Sequence, residues 1–438
     1  MYITALKVKN FKCFKEREFR FNPGFNLIVG ENGCGKTSVL DALAVASGSW
    51  LLGLSRYSKY CTARSIYPEE VRLEALETDK RIRYERYYPV SVKAEGVVDG
   101  GVIAWERTLD GAMGRTTARA ASKLKKVGQS MGQLAINGEK VVLPIVSYYG
   151  TGRMWQQPRD LKARRVNAVS KARTSVFHGY LNSHDPRASA SDLFRWIQTQ
   201  QFIALEENVT PVELKVVKKA VLQCLEGGSG LYFSVKMADL VVNIKNQGRQ
   251  PYNNLSDGYR NMIAMVGDIA FKAVTLNPHL GMDAAAKTPG IVLIDELDLH
   301  LHPKWQRRVI DDLKCAFPAM QFICTSHSPF LIQALEPGEL VMLDSHGAIP
   351  EYAGKPLEDI VEDVQDVSKP QRGRRAELLA TATEKYFSLL QRNGKLKGKE
   401  LAQAESKYRE ASEPYSSEPG LTAILKLRAL AASESAKR

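Results

Sequence analysis

The stretch GENGCGKT, residues 30–37, constrains this chain more than any other. It satisfies G-x-x-x-x-G-K-[ST], follows the apolar strand pattern of GFNLIV, and leads into residues that read as a helix from Lys36 to about Ala46. In that strand–loop–helix context, Gly30, Gly33 and Gly35 let successive backbone N–H groups turn onto phosphate oxygens. Lys36 would then neutralise the β- and γ-phosphates, and the Thr37 hydroxyl would ligate Mg2+. Glu31, Asn32, Cys34 and Ser38 complete the nucleotide-binding stretch. Cys34 reads as a small filler, with thiol sensitivity as the alternative. The fold class that follows is α/β.

IVLIDE, residues 291–296, supplies a second half. A short apolar run ending in acids suits a central parallel strand. Asp295 at its end would hold Mg2+ through water, and Glu296 would polarise an attacking water. QFICTSH (321–327) reads as the next parallel strand, with His327 placed to hydrogen-bond a γ-phosphate. In DLHLHP (298–303), His300 and His302 lack a Cys or carboxylate at zinc-site spacing, so packing at a helix start is the better reading. Past SYYGTGRMW, Gln156 or Gln157 would sense Mg2+ or water, with Arg153 as a competing contact. NNLSDGYRN (253–261) reads as a helix start, with Ser256 capping, Asp257 on the positive end of the dipole and Gly258 permitting close approach.

The 438 residues carry a net charge of +13, unevenly spread. Residues 101–173 hold 14 Lys and Arg against four acids. Such a band suits nucleic acid or another polyanion, and equally a solvated basic face. Six cysteines without CxxC spacing fit reduced thiols in the cytoplasm. The N-terminus reads as a strand rather than a signal peptide, and no apolar run is expected to reach the ~18 residues of a membrane span.

Residues 1–29 read as strands and 70–110 as a β-meander with a hairpin turn at Asp99-Gly100-Gly101. Residues 112–140, basic and poor in large apolar residues, read as a mobile loop. Leu193, Trp196 and Ile197, then Leu214, Val217, Val221 and Leu225, give helical spacing, and strands resume at 231–245. From about 357 the pattern changes to three helices, the last LTAILKLRALAAS. The division expected is a head over 1–355 and a helical region over 356–438. Within the head, a β-meander and basic loop would occupy about 70–140 and a helical insertion about 176–228.

GENGCGKTS, LSDGYRN, IVLIDELDLHLHP and TSHSP, in that order, resemble the ABC-type ATPase heads of the SMC, RecF and OLD families. The resemblance implies ATP and Mg2+ as cofactors and a mixed or parallel sheet core with an N-terminal antiparallel β lobe. KNFKCF is similar to the opening strand of those heads, where a residue at Lys12 approaches the nucleotide. By the same resemblance, Leu255, Ser256, Asp257, Gly258 and Tyr259 form a signature that binds the γ-phosphate held by an opposing copy. Asp and Tyr replace the usual Gly and Gln there. Asp298 falls where the D-loop crosses the dimer interface.

SYYGTGRMW, DELDLHLHPKWQ and the tail beginning VQDVSKPQRGRRAELL resemble Septu-type anti-phage defence ATPases, PtuA-like and including retron-associated relatives. That implies a dimer of heads working with a separately encoded HNH nuclease docked on the C-terminal helices, with a helical cap on the head as the alternative use of that tail. Retron-linked relatives add a reverse transcriptase and its single-stranded DNA. The residues after His327 are too few for a TOPRIM domain, so no nuclease domain is expected in this chain. A RecF-like ATP-dependent DNA clamp is the second reading. A transporter ATPase is disfavoured by the long insertion before the signature and by the helical tail.

Overall fold

Alternation in YITALKVKNF produces β1 (Tyr2–Phe11), which buries Ile3, Leu6, Val8 and Phe11 and pairs antiparallel with β2 (Phe14–Arg20). The chain then enters β3 (Phe25–Val29), buried at every residue, as befits a strand covered on both faces. The computed structural model describes residues 1–78, 81–154, 175–185, 191–343, 352–367, 373–391 and 398–415. The chain divides into two units, Met1–Leu357 and Glu358–Arg438.

After β3 comes the glycine-rich loop, then α1 (Lys36–Ser47) and the short α2 (Leu51–Leu54). Lys36–Leu54 is in fact long and apolar enough to cross a membrane by composition, contrary to expectation. Its most apolar window is 83% buried inside the protein, which makes it a core helix. The 70–110 region is two hairpins rather than one meander. β4 (Leu73–Thr78) and β5 (Arg81–Arg86) pair alone, whereas β6 (Val90–Val98) and β7 (Gly101–Leu109) extend the first sheet in the order β2-β1-β6-β7. Asp99 and Gly100, both at positive φ, make the two-residue turn between β6 and β7.

The expected loop over 112–140 is instead largely helical, with α3 at Ser122–Ile136. Its buried face, Leu124, Gly128, Met131 and Gly132, follows helical spacing but contains two glycines. A Cβ on Gly128 would lie 3.0 Å from the Trp50 carbonyl, and one on Gly53 would lie 2.5 Å from the Lys125 carbonyl. Close backbone approach thus replaces large side chains, which is why an apolar-periodicity reading misses this helix.

VVLPIVSYYG contributes β8 (Ile145–Tyr149). The helical stretch follows as α4 (Ser191–Glu206) and α5 (Val212–Gln223), then β9 (Gly228–Ser234), β10 (Asp239–Ile244) and β11 (Gly248–Pro251) form a separate antiparallel sheet. α6 (Asp257–Leu276) packs Met262, Met265, Val266 and Ile269 into the core, and α5 buries Leu214, Val217 and Val221. Each such side chain contributes about 1.5–3 kcal/mol. The chain continues through α7 (Ala284–Lys287), β12 (Gly290–Ile294), α8 (Pro303–Gln306), α9 (Val309–Ala316), β13 (Met320–Thr325), α10 (Pro329–Gln333) and β14 (Leu340–Met342).

The central sheet is parallel throughout, in the order β14-β3-β13-β12-β8. Inserting β13 between β3 and β12 brings the loops that follow all three strands to one edge, the usual place for a ligand in an open α/β sheet. This is the expected α/β head with an N-terminal antiparallel lobe.

The second unit contains nearly all of α11 (Leu357–Asp363), then α12 (Arg374–Gln391) and α13 (Gly398–Ser412). Tyr386 on α12 stacks on Tyr408 of α13 with ring centroids 5.3 Å apart, and Leu379 and Ala404 are buried. The third helix expected, LTAILKLRALAAS, lies outside the described residues.

Candidate nucleotide site

Gly35 sits at φ +102, and a Cβ there would lie 2.5 Å from Cys13 Sγ and 2.6 Å from the Phe14 ring. Both backbone conformation and packing therefore demand glycine. Gly33, at φ +87, is also in the left-handed region, and Glu31, Asn32 and Gly33 are exposed on the outer side of the loop. Lys36 is buried, and its ammonium donates to the carbonyls of Gly30 and Glu31, each at 2.8 Å. Cys34 N–H donates to the Glu31 carbonyl at 3.4 Å, and Cys13 Sγ lies 3.8 Å from Ser38 Oγ.

Three strand ends meet beside this loop. Thr37 Oγ1 donates to Asp295 Oδ2 at 3.0 Å, joining the loop to the end of β12. Thr325, fully buried at the end of β13, donates through Oγ1 to Asp295 Oδ1 at 2.7 Å. Thr325 Oγ1 also accepts the Glu296 N–H at 2.8 Å. Asp295 N–H in turn donates to the Tyr149 carbonyl of β8 at 2.8 Å. Glu296 takes φ +50, rare for a residue with a side chain, so the turn after β12 is held in a sparsely populated conformation. His327 is exposed just beyond β13, next to Ser326, whose N–H donates to the Ile28 carbonyl of β3 at 3.4 Å. The structure thus gathers Lys36, Thr37, Asp295, Glu296 and His327 at one sheet edge. Thr325 is the residue a motif reading misses, since a Thr two positions before a His carries no signal until β13 is seen to lie between the other two strands.

Lys12 is held by acids of α1 and of the segment before β4. Its ammonium pairs with Asp41, in the second turn of α1, and lies 3.8 Å from Glu70 Oε1. Arg64 bridges the same two acids, at 2.9 Å to Asp41 and 2.7 Å to Glu70. Burial nevertheless raises the Glu70 pKa, with Arg64 opposing it. Tyr148, on β8, is pushed up by burial and then by the Asp41 and Asp295 carboxylates, so it stays a neutral donor. Close by, burial, then the Arg64 and Lys272 charges, push His184 down to about 3, and its Nε2 lies 3.4 Å from Ser47 Oγ. These residues come from distant segments, which hides the cluster from a linear reading. Gln156 and Gln157 lie outside the described residues.

The LSDGY stretch opens α6, with Asp257 in the first turn as expected and the Ser256 capping bond absent. Ser256 holds the N-cap position of α6, but its hydroxyl makes no capping bond and is exposed. Asp257 pairs with Arg260 one turn on, and Leu255 is buried. What approaches Gly258 is the chain itself, because a Cβ there would lie 2.6 Å from the His300 carbonyl. Tyr259 packs on Trp305 at 4.5 Å between ring centroids and donates to the Glu226 carbonyl at 3.3 Å. Asn261 Nδ2 donates to the Leu299 carbonyl at 3.2 Å. The start of α6 is therefore seated on the segment that follows Glu296. Within that segment, Asp298 Oδ1 is enclosed without a hydrogen-bond partner. His302 Nδ1 accepts the Lys304 N–H at 3.3 Å, capping α8, and among the described residues no His, Cys and carboxylate group gathers to hold a metal.

A polar link ties α6 to β8 and, through β8, to the residue after β12. Lys272 pairs with Asp268 at 2.8 Å and donates to Ser147 Oγ at 3.0 Å, while Tyr149 Oη donates to Asp268 at 2.6 Å. Tyr149 is also the residue whose carbonyl holds Asp295 N–H.

Two family models described as AAA domains match residues 5–216 and 143–333, the second further described as an AbiEii toxin candidate, Type IV TA system. A Septu protein PtuA of Bacillus thuringiensis is 30% identical over 388 residues, covering 84% of this chain and 85% of that protein. The chain belongs to the Septu PtuA family. Outside PtuA, the Escherichia coli protein named "Retron Ec83 probable ATPase" is 23% identical over 88% of this chain and 80% of its own length. The Vibrio cholerae (serotype O1 biovar El Tor) "Retron Vc95 probable ATPase" is 43% identical over 101 residues, 23% of this chain, and the match spans only 19% of that relative. In this PtuA-family chain the glycine-rich loop falls within the first AAA match, and the LSDGY stretch, Asp295, Glu296, Asp298 and His327 fall within the second.

Proposed function

We propose that this PtuA-family chain binds and hydrolyses ATP in a cytoplasmic dimer of heads that regulates a separately encoded HNH-type nuclease in anti-phage defence. The observation that carries the reading is the continuous path Thr37–Asp295–Thr325–Glu296 beside a glycine-rich loop. The donor set fits magnesium, since a Thr hydroxyl and a carboxylate already stand within hydrogen-bond distance. Thr37 and Asp295 would hold the ion, which when bound draws charge from phosphate oxygens.

The chain's own groups carry the remaining steps. Backbone N–H groups of the loop bind phosphate oxygens, and Lys36 exchanges its two carbonyl partners for them. Glu296 orients a water and takes its proton as the terminal phosphoryl group passes to that water, the bond to the β-phosphate oxygen breaks and ADP leaves, and His327 contacts the same phosphate. The exposed Ser256 supports completion of the site by a second copy, with Ser256 meeting the γ-phosphate and Asp298 the interface. The second unit, α11 to α13, serves as the nuclease dock. A reverse transcriptase with its single-stranded DNA would join in a retron-linked setting.

A RecF-like DNA-binding role is the second reading. It is favoured by the exposed Arg115, Arg119, Lys123, Lys125 and Lys126, part of the basic 101–173 band. Purification with the products of neighbouring genes, with and without ATP, separates the two. Nucleotide-dependent retention of an HNH protein supports defence; retention of replication proteins instead overturns it.

A further inference from the structure

Arg107, on β7, is 2% exposed. Its Nε donates to the Thr117 carbonyl at 2.8 Å, but Nη1 is enclosed without a hydrogen-bond partner among the described residues. Burial pushes this guanidinium down to about 10, and among the described residues it forms no ion pair with a carboxylate. It remains charged at neutral pH, and a buried charge without a counter-ion is costly.

Arg107 lines a cavity of about 590 Å³ together with the exposed Lys59 and Arg115. No Asp or Glu lines it among the described residues, and Leu52 and Ile66 form an apolar flank. The two walls are joined where Ile66 N–H donates to Thr116 Oγ1 at 2.9 Å. Three cationic residues lining one hollow fit an anion, and a guanidinium fits a phosphate. The volume is that of a small-ligand pocket, which typically spans roughly 300–1,000 Å³. A flat apolar flank beside a cationic wall suits a phosphate joined to a base.

We propose that this cavity is a second anion site, separate from the glycine-rich loop, in which Arg107 holds the phosphate of a nucleotide and Lys59 and Arg115 guard the mouth. The nucleotide is either free or the end of a single-stranded nucleic acid, since both present the same phosphate and base. Arg64, between Ala63 and Ser65 of the wall, pairs with Asp41 on α1 at 2.9 Å, which joins the wall to the helix that follows the loop.

The test uses the full chain carrying Lys36→Ala, to silence the glycine-rich loop, and two probes: AMP and a 5′-phosphorylated oligothymidylate. Binding of either, weakened by salt and reduced roughly tenfold or more by Arg107→Met, is the expected result. AMP binding identifies a free nucleotide, and oligothymidylate binding without AMP identifies a strand end. Lys59→Glu combined with Arg115→Glu alters only exposed positions and should reduce binding comparably, so it decides the matter if Arg107→Met fails to fold. If Arg107 were only structural, Arg107→Met would lower the melting temperature and leave binding unchanged. Binding of neither probe, or binding indifferent to both variants, overturns the proposal.

Discussion

Thr325→Val removes one oxygen and nearly preserves shape, at a fully buried position. That oxygen donates to the Asp295 carboxylate at 2.7 Å and accepts the Glu296 N–H at 2.8 Å. A hydrogen bond to a charged group contributes about 1.5–3 kcal/mol and a neutral one about 0.5–1.5 kcal/mol, so losing both should cost about 2–4.5 kcal/mol of stability. The effect on turnover should be separate, because both acids lose the contact that fixes their position. Misplacement of that kind costs up to about 10²-fold in rate. Urea denaturation would report the first quantity and steady-state phosphate release the second, with Thr325→Ser as the variant that keeps the hydroxyl. Valine should depress both stability and kcat, with serine near wild type in kcat. If Thr325→Val retains both wild-type stability and kcat, Thr325 does not organise the two acids.

Glu296→Gln should slow single-turnover hydrolysis about 10²–10⁴-fold while labelled ATP still binds; a wild-type rate would remove Glu296 as the base. Gly258→Ala should cost about 1–3 kcal/mol in urea denaturation, because its Cβ would lie 2.6 Å from the His300 carbonyl; an unchanged midpoint would contradict that seating of α6. His184 stays neutral in the fold because its pKa is pushed to about 3. The unfolded chain takes up that proton below about 6.5. Stability should therefore be full above pH 6.5 and fall toward pH 3 by about 1.4 kcal/mol per unit from this group. His184→Asn should show a shallower fall between pH 7 and 5.5, and identical slopes would contradict the linkage.

How much of this was readable in one dimension varies by element. The glycine-rich loop, the all-apolar β12, the largely apolar β13, and the helical spacing of Leu214, Val217 and Val221 declare themselves, since each depends on local pattern alone. α3 does not, because Gly53 and Gly128 meet by close backbone approach rather than through large apolar side chains. Gly258 was legible as a point of close approach, but the partner there, the His300 carbonyl, is set by the fold of the segment after β12. Thr325, Asp41, Arg64 and Glu70 were hidden for a different reason: ionic and hydroxyl contacts between distant segments leave no period in the sequence.

The central claim is that each nucleotide site is built from the glycine-rich loop of one copy and the LSDGY stretch of another. Mixing a Lys36→Ala chain with a Ser256→Arg chain measures it directly. Each variant alone should be inactive in phosphate release, whereas the mixed dimer holds one site with both halves intact and should recover part of the activity. No recovery, with mixing verified by co-purification of differently tagged chains, would contradict the claim and place Ser256 in the service of its own chain.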